Sequence, residues 1–310
     1  MFPISGQKTW PLLILKIIAA LLFLYYLYNN KNISLQHFKW IWSNADTLYI
    51  GVSFIISIIL VFLNIIHWHY FMKAGGLETT YRQSTLTYLA GNLFGLVSPG
   101  RLAEFGRGYL YKGHSLKDTA LVTLAEKFYF VFFTVLFGLI GLALGHELIK
   151  EIIHLTAIII AFILLFIVLC VCLLILIKGN KIKFKGLFNL FPGTEPERFF
   201  LLTLTNLTYI LMVIQFYFIL ISFLKIKMIY AFITLSLTLV VITFFPISFG
   251  NLGVREACFI YLLNAAAGFP ETAALNAGFL VFAENILVPS IAGLIVVIIT
   301  GKTLRVKVNS

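Results

Sequence analysis

Polar and apolar positions along the chain show neither the strict alternation of half-buried strands nor the single apolar stripe of soluble helices. They fall instead into long apolar blocks, at about 10–28, 47–71, 119–145, 152–177, 199–224 and 272–300. Each is near or above the roughly 20 residues a helix needs to cross a hydrocarbon core of about 30 Å. The block from Leu155 to Ile177 holds no charged residue, which excludes a transmembrane barrel built from strands of alternating polarity. Two further apolar stretches, about 84–98 and 228–247, run directly into segments rich in Gly, Pro and charge. The pattern predicts an all-α integral membrane protein of six full spans plus two re-entrant hairpins, or eight spans if the hairpins cross completely. The chain reads as a single transmembrane domain over residues 1–310.

Composition agrees with this pattern. Of 310 residues, 61% are hydrophobic and 11% charged, with a mean hydropathy of +1.00; soluble domains carry about 25% charged residues. A net charge of +11 is explained by basic loops that orient the chain and face anionic headgroups, with no call for nucleic acid. Lys178 to Arg198 and the tail with Lys302, Arg305 and Lys307 place both termini in the cytoplasm by the positive-inside bias. Following the spans back from there brings the two re-entrant stretches in from opposite faces. The first half, about 47–145, and the second, about 199–300, are therefore expected to be an inverted repeat. Ser98-Pro99-Gly100-Arg101-Leu102-Ala103-Glu104 also aligns with Ser248-Phe249-Gly250-Asn251-Leu252-Gly253-Val254-Arg255-Glu256 across a two-residue insertion. Each copy leads on to an intramembrane acid, Glu126 in one and Glu284 in the other. Inverted repeats with broken helices are a hallmark of alternating-access transport.

Ser98 as a cap and Pro99 at the first helical position predict a helix running toward Tyr111. Arg101, Glu104 and Arg107 at i, i+3, i+6 share one face of it, so that Glu104 can tie down both guanidiniums. Such a net-positive lip suits a phosphate; contact with lipid headgroups alone is the plain alternative. Glu126 and Lys127 lie in an apolar run where a charge needs a partner or a wet cavity. Adjacent residues on a helix diverge, so Glu126 is expected to meet Arg101, Arg107 or Arg255 in preference to Lys127. In the second motif, Gly250 and Gly253 free the backbone around Ser248 and Asn251, and Arg255 and Glu256 open the next helix. Glu284 is the most isolated acid. It is open to three readings: an Arg255 partner, a proton carrier, or a neutral acid held by a hydrogen bond.

Catalytic templates fail. His146-Glu147 lacks the second histidine of H-E-x-x-H because Lys150 occupies that position. His67 and His69 point to different faces, and Trp68 between them reads as part of an interfacial belt. Cys170, Cys172 and Cys258 have no metal-binding spacing, and no metal or other cofactor is expected. No loop is long enough to fold a soluble catalytic domain.

The paired motifs resemble the transmembrane region of lysylphosphatidylglycerol synthases, a flippase-like domain family. The resemblance rests on Asn92, on Ser98 to Glu104 with Arg107, on Glu126-Lys127, and on Pro246 to Glu256, and it extends from about residue 10 to 300. Ser98-Pro99-Gly100-Arg101, Glu126-Lys127 and Gly250-Asn251-Leu252-Gly253 depart from the family's usual Leu-Pro-Gly-Arg, Glu-Arg and Gly-Gly-Leu-Gly. In two-domain members this region moves an aminoacylated phospholipid between leaflets after a separate soluble domain has made it. The resemblance thus implies transport or a related lipid-handling role, not lysyl transfer; the expected cargo is a phospholipid or polyprenyl-phosphate-linked lipid, and richness in Lys, Ile and Phe with short loops fits a bacterial cytoplasmic membrane. On that reading Asn92, Ser98, Arg101, Arg107, Ser248, Asn251 and Arg255 contact the headgroup, Glu104 and Glu256 position the arginines, and Glu126, Lys127 and Glu284 are the intramembrane charges that couple opening to protonation. A membrane enzyme acting on a lipid-linked headgroup, and a non-catalytic partner in envelope-lipid or glycan assembly, are the rival classes. A homodimer is compatible with either.

Overall fold

A computed structural model describes residues 39, 42–96, 98, 101–110, 115–149, 193–244 and 251–308. Two of the expected spans, 10–28 and 152–177, lie outside these residues, as do Pro99, Gly100, Pro246 and Ser248. The described elements are α1 (Thr47–Ala74), α2 (Tyr81–Leu96), a 3-10 segment (Leu102–Leu110), α3 (Leu116–Ile149), α4 (Glu195–Phe223), α5 (Met228–Phe244), α6 (Val254–Ala267), α7 (Glu271–Phe282), a π turn (Ala283–Leu287) and α8 (Val288–Val308). Among the described residues every element is helical. Four helices are long and apolar enough to cross a membrane, Thr47–Ala74, Leu116–His146, Glu195–Phe223 and Glu271–Ile299, and they coincide with the other four expected spans.

The polarity of this bundle is arranged for lipid. Large apolar side chains of α1 and α8, among them Ile55, Phe62, Ile295 and Ile299, face outward, while Ser53, Ser57, Thr87, Thr205 and Gln215 are buried. With no hydrophobic drive between helices in lipid, close packing and interhelical hydrogen bonds hold the elements together. Small residues set the closest approaches. A Cβ on Gly141 of α3 would lie 3.2 Å from the Cβ of Ser236 on α5. A Cβ on Gly293 of α8 would run into the backbone of Leu89 on α2. Helix α1 packs along α4, α2 against α8, and α5 against α3, so each half lends its long final helix to the short second helix of the other.

Two apolar clusters fill the interior. One joins Trp68, Phe71 and Met72 of α1 to Tyr88 of α2 and Val122, Ala125 and Tyr129 of α3. The other joins α4, α5, α6 and α7 through residues such as Phe216, Leu235, Phe259 and Ala274. The run expected as a span over 272–300 is helical throughout but winds through a π turn, which begins one residue before Glu284.

Candidate functional site

The first polar centre is built where the chain leaves α2. Arg101 has a φ of 58°, a left-handed conformation that costs a non-glycine residue about 1–3 kcal/mol and calls for compensation from its surroundings. It turns the chain into the 3-10 segment. The Ser98 hydroxyl accepts the Ala103 N–H at 2.9 Å, but the helix begins at Leu102 and not at Pro99, three residues later than a Ser98 cap predicts, and it is a 3-10 helix and not an α-helix. Gly106 and Gly108, poor α-helix formers, lie within it. A 3-10 helix has three residues per turn, which stacks positions i and i+3 directly above one another. The spacing of Arg101, Glu104 and Arg107 therefore places Glu104 between the two arginines.

Glu104 is fully buried. It accepts from Arg101 Nε, pairs with Arg107 at 3.1 Å and also pairs with Lys127 Nζ of α3. Arg107 gives its other amino group to Glu126 Oε2 at 2.6 Å. Its guanidinium lies 4.8 Å from the ring centre of Trp68 and 5.6 Å from that of Tyr88, within cation–π range. Arg101 donates to Asn92 Oδ1 at 2.8 Å, and Ser290 of α8 donates to the Asn92 carbonyl at 3.1 Å. The glycines of α2 make room for these charges: a Cβ on Gly91 would lie 2.5 Å from Arg107 Nε, and one on Gly95 2.8 Å from Glu104 Oε1. Glu126 thus meets Arg107, one of its three expected partners, while Lys127 turns to Glu104.

Sequence reasoning missed part of this centre. Trp68 is not in an interfacial belt; it, His67 and His69 are buried inside the bundle. Trp68 donates its indole N–H to Thr87 Oγ1 at 2.9 Å, and His67 sits with Nδ1 3.8 Å from Glu126 Oε1. Two histidines flanking a tryptophan suit a wet boundary equally well, and only the packing of α2 and α3 onto α1 decides against it. The overlooked signal was His67 itself, an intramembrane ionisable residue.

The second motif forms a separate centre. Asn251 has a φ of 60°, tolerated by its short polar side chain. The Glu256 carboxylate accepts the Gly253 N–H at 2.6 Å, closing the start of α6. Its other oxygen holds Arg255 at 2.7 Å, and the Arg255 guanidinium lies 5.6 Å from the centre of the Phe282 ring. Arg255 does not reach Glu126 or Glu284. Glu284 accepts from Ser53 Oγ at 2.8 Å and from Gln215 Nε2 at 2.7 Å, and Gln215 accepts in turn from Asn285 at 2.8 Å. Of the three readings of Glu284, the Arg255 pair is the one this geometry does not make. Among the described residues no group of three or more His, Cys, Asp or Glu side chains is arranged to hold a metal.

Buried ion pairs on broken helices inside a bundle of membrane-spanning helices define a polytopic α-helical membrane protein with an internal charged site. Residues 13–293 match the family model of the lysylphosphatidylglycerol synthase transmembrane region, and the chain belongs to that family. Membership makes it an integral membrane protein of lipid metabolism or lipid translocation. A search of curated proteins found no match.

Proposed function

We propose that this chain is a lipid translocase that moves a phospholipid or a polyprenyl-phosphate-linked lipid between the leaflets of a bacterial cytoplasmic membrane, with both termini in the cytoplasm. The observation that carries the reading is the composition of the first centre. Arg101, Arg107 and Lys127 stand against Glu104 and Glu126, leaving a formal net charge of +1 next to a break in the fold. One phosphodiester carries the complementary charge. Lys127 is a little over a third exposed and Arg101 about a quarter exposed, so the cations nearest the surface are the ones a headgroup meets first, with Asn92 and Ser98 beside them. In the second half, Asn251 and Arg255 with Glu256 are the corresponding headgroup contacts, together with Ser248, which lies outside the described residues.

Two features support six spans with two re-entrant hairpins in an inverted repeat. Helices α2 and α5, of 16 and 17 residues, are about 24–26 Å long at 1.5 Å per residue, short of a full crossing. Arg101 and Asn251, the aligned residues of the two motifs, are the two non-glycine residues with left-handed backbone among those described.

The test is leaflet exchange of fluorescent headgroup lipids in proteoliposomes. Exchange catalysed by the unaltered chain should be lost in Arg101→Ala, which retains its thermal unfolding midpoint to within a few degrees, and in the folded fraction of Arg255→Ala, whose midpoint falls because buried Glu256 loses its cation. Exchange unchanged in both variants would remove the arginines from the reading.

A further inference from the structure

We propose that His67 is a proton-binding and positioning residue for the first centre: a proton on Nδ1 draws Glu126 away from Arg107 and frees the Arg107 guanidinium for a phosphate. The inference rests on the translocase reading for its phosphate, but not for its proton. Thr205 has one hydroxyl proton, and its Oγ1 donates to the Leu201 carbonyl at 2.8 Å. With that proton on the Leu201 carbonyl, the 2.7 Å contact between Thr205 Oγ1 and His67 Nε2 is made by a proton on Nε2. A neutral His67 is left with Nδ1 as a bare acceptor, fully buried and without a hydrogen-bond partner. That acceptor faces another, Glu126 Oε1, at 3.8 Å. Two buried acceptors facing each other with no hydrogen between them form an unsatisfied pair, and one proton on Nδ1 converts it into a donor and an acceptor.

The surroundings of His67 make Glu126 the group that responds. From α4 it meets neutral Thr205, and the rings of Phe71 and Phe130 pack edge-on at 4.7 and 5.5 Å between centres. From α3 it meets Glu126, behind which stand Arg107 of the 3-10 segment and Lys127, the latter committed to Glu104. Glu126 is thus shared, one oxygen on Arg107 and the other toward His67. Arg107 also has an unfilled donor, since its buried Nε has no acceptor. A proton on His67 raises the formal charge of the centre from +1 to +2, which favours anion binding. By reciprocity a bound anion must favour the proton.

The experiment is 15N NMR of histidine-labelled protein in nanodiscs, which needs no transport. The His67 signal is the one lost in His67→Gln, with His67→Asn as the second assignment variant. As the pH is lowered, Nε2 should stay protonated and Nδ1 should take up a proton. Glu126→Gln should weaken that uptake by at least about 3-fold, half a pH unit. Glu126→Asp, which keeps the charge but withdraws it by one methylene, should weaken it less. Replacing phosphatidylcholine with phosphatidylglycerol in the nanodisc should strengthen uptake. A His67 signal that holds one tautomer from pH 5 to 8, or that titrates alike with and without the Glu126 carboxylate, overturns the proton site. Titration that responds to Glu126 but not to phosphatidylglycerol overturns the link to the headgroup. Neither result depends on leaflet exchange, so the translocase reading stands or falls separately.

Discussion

Glu104→Gln isolates the charge of the acid at the middle of the first centre, because glutamine keeps the shape and one acceptor oxygen. Glu104 is fully buried and contacts three cations. Those contacts are not of equal weight. The side chains of Arg101 and Lys127 are 24% and 37% exposed, so water screens them and their loss costs little. The Arg107 side chain is 3% exposed and cannot turn to solvent. Breaking a buried ion pair by removing one partner costs about 3–5 kcal/mol. Arg107 keeps Glu126 at 2.6 Å and the glutamine oxygen can still accept, so the cost falls to the bottom of that range or somewhat below it, roughly 2–3 kcal/mol.

For a chain of this size that is a fall of roughly 4–8 °C in the unfolding midpoint. Scanning fluorimetry in detergent at one fixed scan rate measures it, the scan rate being held because membrane-protein unfolding is commonly irreversible. Lys127→Met is the control. It removes the most exposed cation, leaves two cations against two carboxylates, and should move the midpoint by no more than about 2 °C. A Glu104→Gln shift below about 1 °C, or a Lys127→Met shift as large as that of Glu104→Gln, would refute the assignment of the cost to burial and charge balance.

Gly91→Ala places a Cβ 2.5 Å from both Cγ and Nε of Arg107, so the arginine must move away from Glu126. Destabilisation of about 1–3 kcal/mol is expected, against no destabilisation for Gly51→Ala, where a Cβ meets nothing within 4 Å; the two unfolding midpoints compared decide it. Asn276 of α7 is fully buried with neither amide atom hydrogen-bonded, a state that costs about 1–3 kcal/mol. Asn276→Leu, which keeps the branched four-atom skeleton but is larger, should therefore raise the midpoint, and a fall shared by Asn276→Leu and the smaller Asn276→Ala would show that the amide is satisfied in solution.

What could be read from the sequence is what depends on position along a single element. Four spans follow from block length, and the partnership of Glu104 with both arginines follows from the spacing of Arg101, Glu104 and Arg107. The divergence of Glu126 and Lys127 follows from adjacency on a helix. What could not be read is what depends on neighbouring elements or on small changes of winding. Over the nine residues from Leu102 to Leu110, three and 3.6 residues per turn give similar apolar patterns, so the 3-10 segment was legible only as a helix. The π turn at Glu284 lies in a run where nearly every face is apolar, and a shift in register leaves no mark on such a sequence. Its consequence, a carboxylate aimed at Ser53 and Gln215 instead of Arg255, depends on α1 and α4 lying side by side. His67 was visible as a polar residue in an apolar block, but its relation to Glu126 required α3 to pack on α1.

The described arrangement is closed on itself, and that constrains how a headgroup could bind. Each arginine of the two motifs already holds a carboxylate, Arg101 and Arg107 through Glu104, Arg107 through Glu126 as well, and Arg255 through Glu256. A phosphate cannot simply be added to such a site; it must displace an acid from a cation. Displacement is easiest where water already competes, at Arg101 and Lys127, and hardest at Arg107 and Arg255, which are almost fully buried. A carboxylate displaced inside the bundle needs a new partner to avoid standing as an unpaired buried charge. For Glu126 the group in reach is His67, and for Glu104 the remaining cations of its own cluster. Glu256 has no such second cation among its described ion pairs, though it caps the start of α6. Opening the second centre therefore demands movement of α6 itself, whereas the first can exchange partners with its helices in place. On the translocase reading, the two centres would therefore release their arginines by different means.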